Sequence, residues 1–566
     1  KERARREQEL VQARPHPGCE VPAMPLAEAE AQLREAVGDW SLKARGYAPS
    51  VLGNTPPRQL LAVDVGLGKT RAAVRAGRDL LRDPASTVGR LVYLIPTLAL
   101  GDEIAAQFVA LGVTAQVWRG LQAKDSDGAA MCEQPELVSE AIKASVSVRE
   151  VCAKCPSRAS CRYQAQHQEQ PEVWVASHDY LFREPPKPLR AAQALVVDEV
   201  FWESAICTGV RVKFEALGSD TAPLRGEDAQ RLADARTQLC ATLQQIEVGE
   251  QLTREDLEGF ALGDSDLADA RKLEWKRQPS ASGLDAQSIE ALREAVAVAG
   301  VHRFQRSVPK LWALVDATRT GPGADGRLPG FITRTAEGVE LSYRREPWEG
   351  WLQLPMLLLD ATAAPQLVEA ALGVSVDVTQ IRAELPPSVE VLQVRDTAMP
   401  RRSLHRKPAE LGKGGDRARE RRREDLASML EVQAAMHRGQ LCGAVMQKDP
   451  KDLLVKEAGE NLKRAGVELL NFKEALGRDG WRDCRTLVVV GRPLPPIRSI
   501  EAQAAVLFGR QIESVGPDWL QTVVRLAPSA EGSPEAVEVA YHPDPQVEAM
   551  RFALCEGALV QAVGRA

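Results

Sequence analysis

Lys69 and Thr70 close the run LLAVDVGLGKT (Leu60–Thr70), in which an apolar stretch breaks into a glycine-bearing turn. The residues that follow, RAAVRAGRDLL, space their apolar side chains as a helix does. A strand, a glycine turn and a helix in that order form a cradle for a phosphate chain. The candidate binding residues are therefore Val65, Gly66, Leu67, Gly68, Lys69 and Thr70. Gly66 and Gly68 leave backbone N–H groups free to wrap an anion, and the helix N-terminus adds its dipole. Lys69 is placed to reach the β- and γ-phosphates and Thr70 to ligate Mg²⁺. The full pattern G-x-x-x-x-G-K-[ST] has glycine where this chain has Val63.

A second signal is ALVVDE (Ala194–Glu199), a short apolar strand ending in two carboxylates. Buried parallel strands have this composition, and ligands sit at their carboxyl ends. Asp198 is read as the holder of Mg²⁺ and Glu199 as the group that polarises an attacking water. Such a pair alone is weak, because strand ends are often merely solvated. Combined with Lys69 it reads as an NTPase site.

Four of the ten cysteines are clustered, Cys132, Cys152, Cys155 and Cys161, with spacing C-x19-C-x2-C-x5-C. Thiolates are soft ligands, and four of them suit an iron–sulfur cluster or tetrahedral zinc, which spacing does not separate. His167 is a further candidate ligand in a zinc variant. The other six cysteines are scattered singly and read as small buried hydrophobes in a reducing compartment.

The order of further segments narrows the reading. LIPTLALGDEIAAQF (Leu94–Phe108) resembles motif Ia of superfamily 2 helicases, and LLLDATA (Leu357–Ala363) resembles motif III. LNFKEALGRDGWRDCRTLVVV (Leu470–Val490) is similar to the motif V region, and LVQAVGRA (Leu559–Ala566) to the start of motif VI. The pieces follow the family's order over about nine-tenths of the chain. The cysteines lie where the XPD/DinG-like branch carries a 4Fe-4S domain. VWVASHDYLF (Val173–Phe182) resembles that branch's "NH..L" segment, with His178 at the histidine and Ser177 in place of asparagine. The resemblance implies ATP and Mg²⁺ as ligands, a 4Fe-4S cluster (zinc as runner-up), and Gln561 and Arg565 facing the phosphates from a second lobe. One departure is clear: the family's DEAH reads Asp198-Glu199-Val200-Phe201, without the histidine that couples hydrolysis to movement.

The expected fold is α/β, with two RecA-like P-loop NTPase lobes built from parallel sheets flanked by helices. The first lobe is expected over 45–115, 170–207 and 351–387, with a Cys-rich insertion at 116–169 and a mainly helical, arch-like insertion at 208–350. Residues 1–44 read as a charged helical lead-in from an upstream domain of the same chain. The second lobe is expected over 388–566, opening with VEVLQV near Val389, including the strand GAVMQK (Gly443–Lys448), and stopping within motif VI as in a fragment. The basic stretch Arg401–Arg423 is interspersed with acids and reads as a solvated loop rather than a phosphate track. Trp118, Trp174, Trp202, Trp348, Trp351 and Trp481 read as core anchors rather than base-stacking platforms.

The composition agrees with this picture: 566 residues, 44% hydrophobic and 27% charged, give a chain long enough for several cores. No window approaches the roughly 18 uncharged apolar residues of a membrane span. A net charge of −6 excludes binding of nucleic acid through bulk positive charge, though not through a local groove. The expected activity is an ATP-dependent helicase moving 5′→3′ on single-stranded or forked DNA; the expected location is the cytoplasm, and the expected source bacterial or phage-encoded. Two other readings stand beside it: an ATP-driven translocase that does not unwind and carries structural zinc, and a binding scaffold that has lost turnover.

Overall fold

The computed structural model describes residues 21–48, 54–218, 220–279, 288–300, 304–323, 325–394, 399–405, 416–475, 481, 484–516, 520–527 and 535–564. Four short runs, LVYLI, VWVAS, ALVVD and MLLLD, are buried along almost their whole length. Strands buried on both faces belong in a parallel sheet covered by helices on either side. They occupy it as β2 (Leu91–Ile95), β4 (Val173–Ser177), β5 (Ala194–Asp198) and β9 (Met356–Asp360). With β1 (Arg58–Val63), β3 (Ala115–Val117) and β10 (Asp377–Ile381) they form a seven-stranded sheet ordered β10-β1-β9-β5-β2-β4-β3. Each pairing in it is parallel. β9, which arrives more than 290 residues after β1 begins, slots between β1 and β5, with Leu61 beside Leu359 and Asp198 beside Leu359. The carboxyl ends of β1, β5 and β9 therefore meet at one edge.

The two faces follow the alternation of side chains along each strand. One face carries Leu61, Val63, Tyr93 and Val196 under the helices Lys69–Arg82 and Leu98–Ala110. The other carries Leu60, Val92, Leu195 and Leu358 and is covered partly by Trp202 and Trp351, partly by Ile500, Ala504 and Leu507 from the helix Ile497–Phe508. Distant parts of the chain thus share this core.

The helix Leu26–Arg45, within the stretch read as a lead-in, packs on the first lobe: it buries Ala29, Leu33, Val37, Trp40 and Ala44 against the first sheet's helical layer. These positions recur every three or four residues and make one apolar stripe between charged flanks.

The Cys-rich segment is a set of short helices, among them Pro135–Lys143 and Val148–Lys154. The next insertion combines a three-stranded antiparallel sheet, β6 (Ile206–Lys213), β8 (Gly338–Arg344) and β7 (Gly330–Arg334), with long helices such as Gly226–Gln245 and Ser307–Thr320. Its core includes a buried ion cluster in which Glu274 takes both Arg236 and Arg277. The two insertions touch: Leu292 and Val296 pack on Leu137 and Ala141, and Arg293 pairs with Glu140 at 3.0 Å.

A second parallel sheet, ordered β12-β11-β13, joins β11 (Leu441–Met446), β12 (Val467–Asn471) and β13 (Cys484–Val489). The helices Asp416–Met436 and Lys448–Ala465 pack on it, and a hairpin of β14 (Gln521–Ala527) and β15 (Glu535–Tyr541) follows. The fold is α/β, with a large helix-flanked parallel sheet and a smaller one. The segment at Val389–Val394, read as the opening of the second lobe, is exposed coil, with Leu392 81% accessible, and no strand pairs with it among the described residues. Five of the six tryptophans, Trp118, Trp174, Trp202, Trp351 and Trp481, are buried, as core anchors are.

Candidate nucleotide site

β1 runs straight through Val63, which pairs with Ile381, so the missing glycine at that position is simply a strand residue. The chain bends two residues later. Gly66 at φ +88° and Gly68 at φ +76° take left-handed conformations that favour glycine, and Gly68 then caps the helix Lys69–Arg82. This turn lines a cavity of about 920 Å³ together with the helix Leu26–Arg45, Glu199 and Gly564.

Behind the turn, the end of β5 supplies two carboxylates. Asp198 is fully buried. Its Oδ2 accepts from Thr70 Oγ1 at 2.7 Å and from the Tyr93 hydroxyl at 2.8 Å. Its Oδ1 is buried without a hydrogen-bond partner. Burial, then the charge of Glu199, pushes the Asp198 carboxyl up, while Lys69, Thr70 and Tyr93 oppose the shift. Glu199 Oε1 lies 3.3 Å from Lys69 Nζ, and both side chains are buried. Glu199 adopts φ +68°, a left-handed conformation rare for a residue with a side chain.

Three further groups complete the edge. Asp360, at the end of β9, is raised to about 6 by burial and by Glu199. Its Oδ1 accepts from the backbone N–H of Thr362 at 2.9 Å and from that residue's hydroxyl at 3.2 Å. His178, just beyond β4, is buried and held neutral, its pKa lowered to about 4 by desolvation. Phe201, where the motif's histidine would stand, is buried and lies edge-on to the His178 ring at 6.4 Å. Neither Tyr93 nor Asp360 was named as a site residue, although Asp360 falls in the motif III-like run LLLDATA. MLLLD ends in Asp as ALVVD does, and that shared ending was the available signal.

The chain's far end reaches the same edge. Gln561 Nε2 donates to Thr362 Oγ1 at 3.2 Å from the helix Ala558–Val563. Gly564 lies so close to the phosphate turn that a Cβ there would come within 2.2 Å of the Val65 Cβ. The structure thus brings together Val65, Gly66, Leu67, Gly68, Lys69, Thr70, Asp198, Glu199 and Gln561. Arg565 lies outside the described residues.

The cysteines gather in one neighbourhood without forming a grip. Cys132 and Cys161 are buried, and Cys152 is pushed up to about 12 by burial and by the fields of Cys132, Cys161 and Cys155. Among the described residues no three His, Cys, Asp or Glu side chains converge closely enough to hold an ion. His167 is packed between Trp118 and Tyr163, with ring centroids 4.9 and 5.3 Å away. The ring contacts there are those of a packing residue. No helix among the described residues is long and apolar enough to cross a membrane.

No protein-family model matches the chain, and no curated protein matches it. Among solved structures it is similar to the Escherichia coli DEAH/RHA helicase HrpB, at 13% identity and a TM-score of 0.28. That alignment covers 96% of this chain and 41% of the other, so the chain spans about two fifths of that protein's length. A superposition this loose carries no weight for function, which rests here on the geometry of the phosphate turn and the two strand-end carboxylates.

Proposed function

We propose that this chain is a nucleic-acid-dependent ATPase of the helicase type. The observation that carries the reading is the convergence of Lys69, Thr70, Asp198 and Glu199 at one sheet edge, with Gln561 and Gly564 closing on it. The turn Val65–Thr70 would cradle the phosphates, and Lys69 would offset charge on the γ-phosphoryl group as the bond to its leaving oxygen breaks. Thr70 and Asp198 suit Mg²⁺, since the orphaned Asp198 Oδ1 is a buried acceptor with capacity left. Held by these two residues, Mg²⁺ would supply positive charge to offset the negative charge that develops on the phosphates. Glu199 would orient the attacking water and take its proton. Gln561, and Arg565 beyond it, would report nucleotide state to the second sheet, and opening and closing would move a strand of DNA.

The finer reading is a helicase that translocates 5′→3′ on single-stranded DNA in the XPD/DinG-like manner. The thiols Cys132, Cys152, Cys155 and Cys161 suit a structural 4Fe-4S cluster or, in the runner-up, zinc by their chemistry, but to hold either they would have to draw closer together than they stand in this structure. Such a group would brace the Cys-rich insertion and take no part in hydrolysis. The absence of a DEAH histidine favours the translocase alternative, in which ATP turns over without strand separation.

Strand displacement from a forked duplex with a 5′ or a 3′ tail, alongside iron and zinc analysis of anaerobically purified protein, tests these readings. The helicase reading expects displacement from the 5′-tailed substrate only and about four iron per chain, as a Cys₄-held cluster contains. DNA-stimulated hydrolysis with no displacement and one zinc per chain would replace it with the translocase.

A further inference from the structure

The peptide unit joining Asp198 to Glu199 is held at both of its polar ends. Its N–H, on Glu199, donates to the Leu359 carbonyl of β9 at 2.7 Å. Its carbonyl, on Asp198, lies 2.8 Å from His178 Nε2. A carbonyl only accepts, so Nε2 carries the hydrogen and the ring donates. The plane of this peptide sets the Glu199 φ angle, which stands at +68°. A residue with a Cβ pays for that conformation and keeps it only where its surroundings over-determine it.

His178 is well placed to be one of those constraints. It is 4% exposed, begins the short turn His178–Leu181 directly after β4, and is walled by Phe201. Ser177 caps that turn by accepting from the Asp179 N–H at 3.3 Å. The ring therefore has little freedom, and nothing in the phosphate chemistry uses it. The sequence also supplies no histidine two residues after Glu199, where Phe201 stands.

We infer that His178 is a positioning residue: by holding the Asp198 carbonyl, it fixes the left-handed turn that aims the Glu199 carboxylate at Lys69 and the attacking water. The inference rests on the ATPase reading and deepens it. Freed from His178, the Asp198–Glu199 peptide could rotate while the phosphate turn stayed intact, so turnover would fall and nucleotide binding would not.

The test uses the full chain with His178→Ala and His178→Gln, each alone and combined with Glu199→Gln. ATP turnover with saturating single-stranded DNA and the affinity for a fluorescent ATP analogue are measured for each. His178→Ala should lower kcat roughly a hundredfold, the scale of a small misplacement of a reacting group. Its affinity for the analogue should stay within about threefold of wild type. His178→Gln, whose amide can donate to the same carbonyl, should regain about tenfold of the lost turnover. In the Glu199→Gln background His178→Ala should add no further loss, because it acts only through Glu199.

Wild-type-like turnover in His178→Ala, a parallel loss of affinity, or losses that multiply in the double variant would overturn the inference. Should the alanine variant not fold, His178→Asn, whose amide is too short to reach the carbonyl, takes its place with the same expectations. A wild-type chain that releases no phosphate sinks the ATPase reading itself. Turnover in wild type with an unaffected alanine variant sinks only the role of His178.

Discussion

At the residue scale, the site is a set of buried charges that must balance one another. Lys69 is the cation facing Glu199 and the phosphate turn, so Lys69→Ala should lower ATP turnover by at least about a hundredfold, the scale for losing one charge-stabilising group. A phosphate-release assay would show it, and turnover within a few fold of wild type would contradict the assigned role. Asp360 gives a separate, pH-based prediction. Its folded pKa is raised to about 6 from an ordinary value of 3.8. The folded state therefore binds this proton more tightly than the unfolded chain. The stabilisation is complete below the unfolded value and is lost as pH rises through about 6. Asp360→Asn keeps an acceptor for Thr362 and removes the titration. Relative to that variant, wild type should be about 2 kcal/mol less stable at pH 7.5 than at pH 4.5, read from urea unfolding. Equal pH dependence in the two proteins would refute the raised pKa. The phosphate turn and the Asp-Glu pair were readable because each is coded within one short local segment. His178 and the run LLLDATA that holds Asp360 were singled out by resemblance, but that they and Tyr93 meet the turn and the pair follows only from pairing of strands far apart in sequence, which a single sequence does not display.

At the element scale, two helices decide whether the cavity has walls. Leu26–Arg45 fell inside the stretch 1–44 read as a charged lead-in from the run KERARREQEL at its start, although the stripe from Ala29 to Ala44 keeps helical spacing. Trp40 is 1% exposed in the layer it shares with the P-loop helix. Trp40→Ala should cost about 3–5 kcal/mol in urea unfolding, the range for emptying a buried aromatic site; a lead-in packed on nothing would cost almost none. On the other side the cavity is bounded by Gly564, which follows the helix Ala558–Val563 and lies against Val65. Gly564→Ala should push this segment off the phosphate turn and lower kcat, while Val65→Gly, which removes the atom a new Cβ would strike, should restore part of the loss in the double variant. Measured turnover that is unchanged in Gly564→Ala would show that the contact has no part in catalysis.

At the scale of the whole molecule, α/β lobes were legible from the strings of buried-strand composition, and the order β10-β1-β9-β5-β2-β4-β3 was not, because it depends on where β9 re-enters after two insertions. That re-entry sets Asp198, Asp360 and the phosphate turn on one edge, so the long excursion between β5 and β9 leaves the site intact. The claim on which all else depends is that this edge hydrolyses ATP and does so in response to nucleic acid. The most direct measurement is phosphate release by wild type and Glu199→Gln, with and without single-stranded DNA. The account predicts turnover that DNA stimulates in wild type and a loss of at least about a hundredfold in Glu199→Gln, whose amide cannot take a proton from water. Equal rates in the two proteins, or a wild-type rate indifferent to DNA, would contradict it.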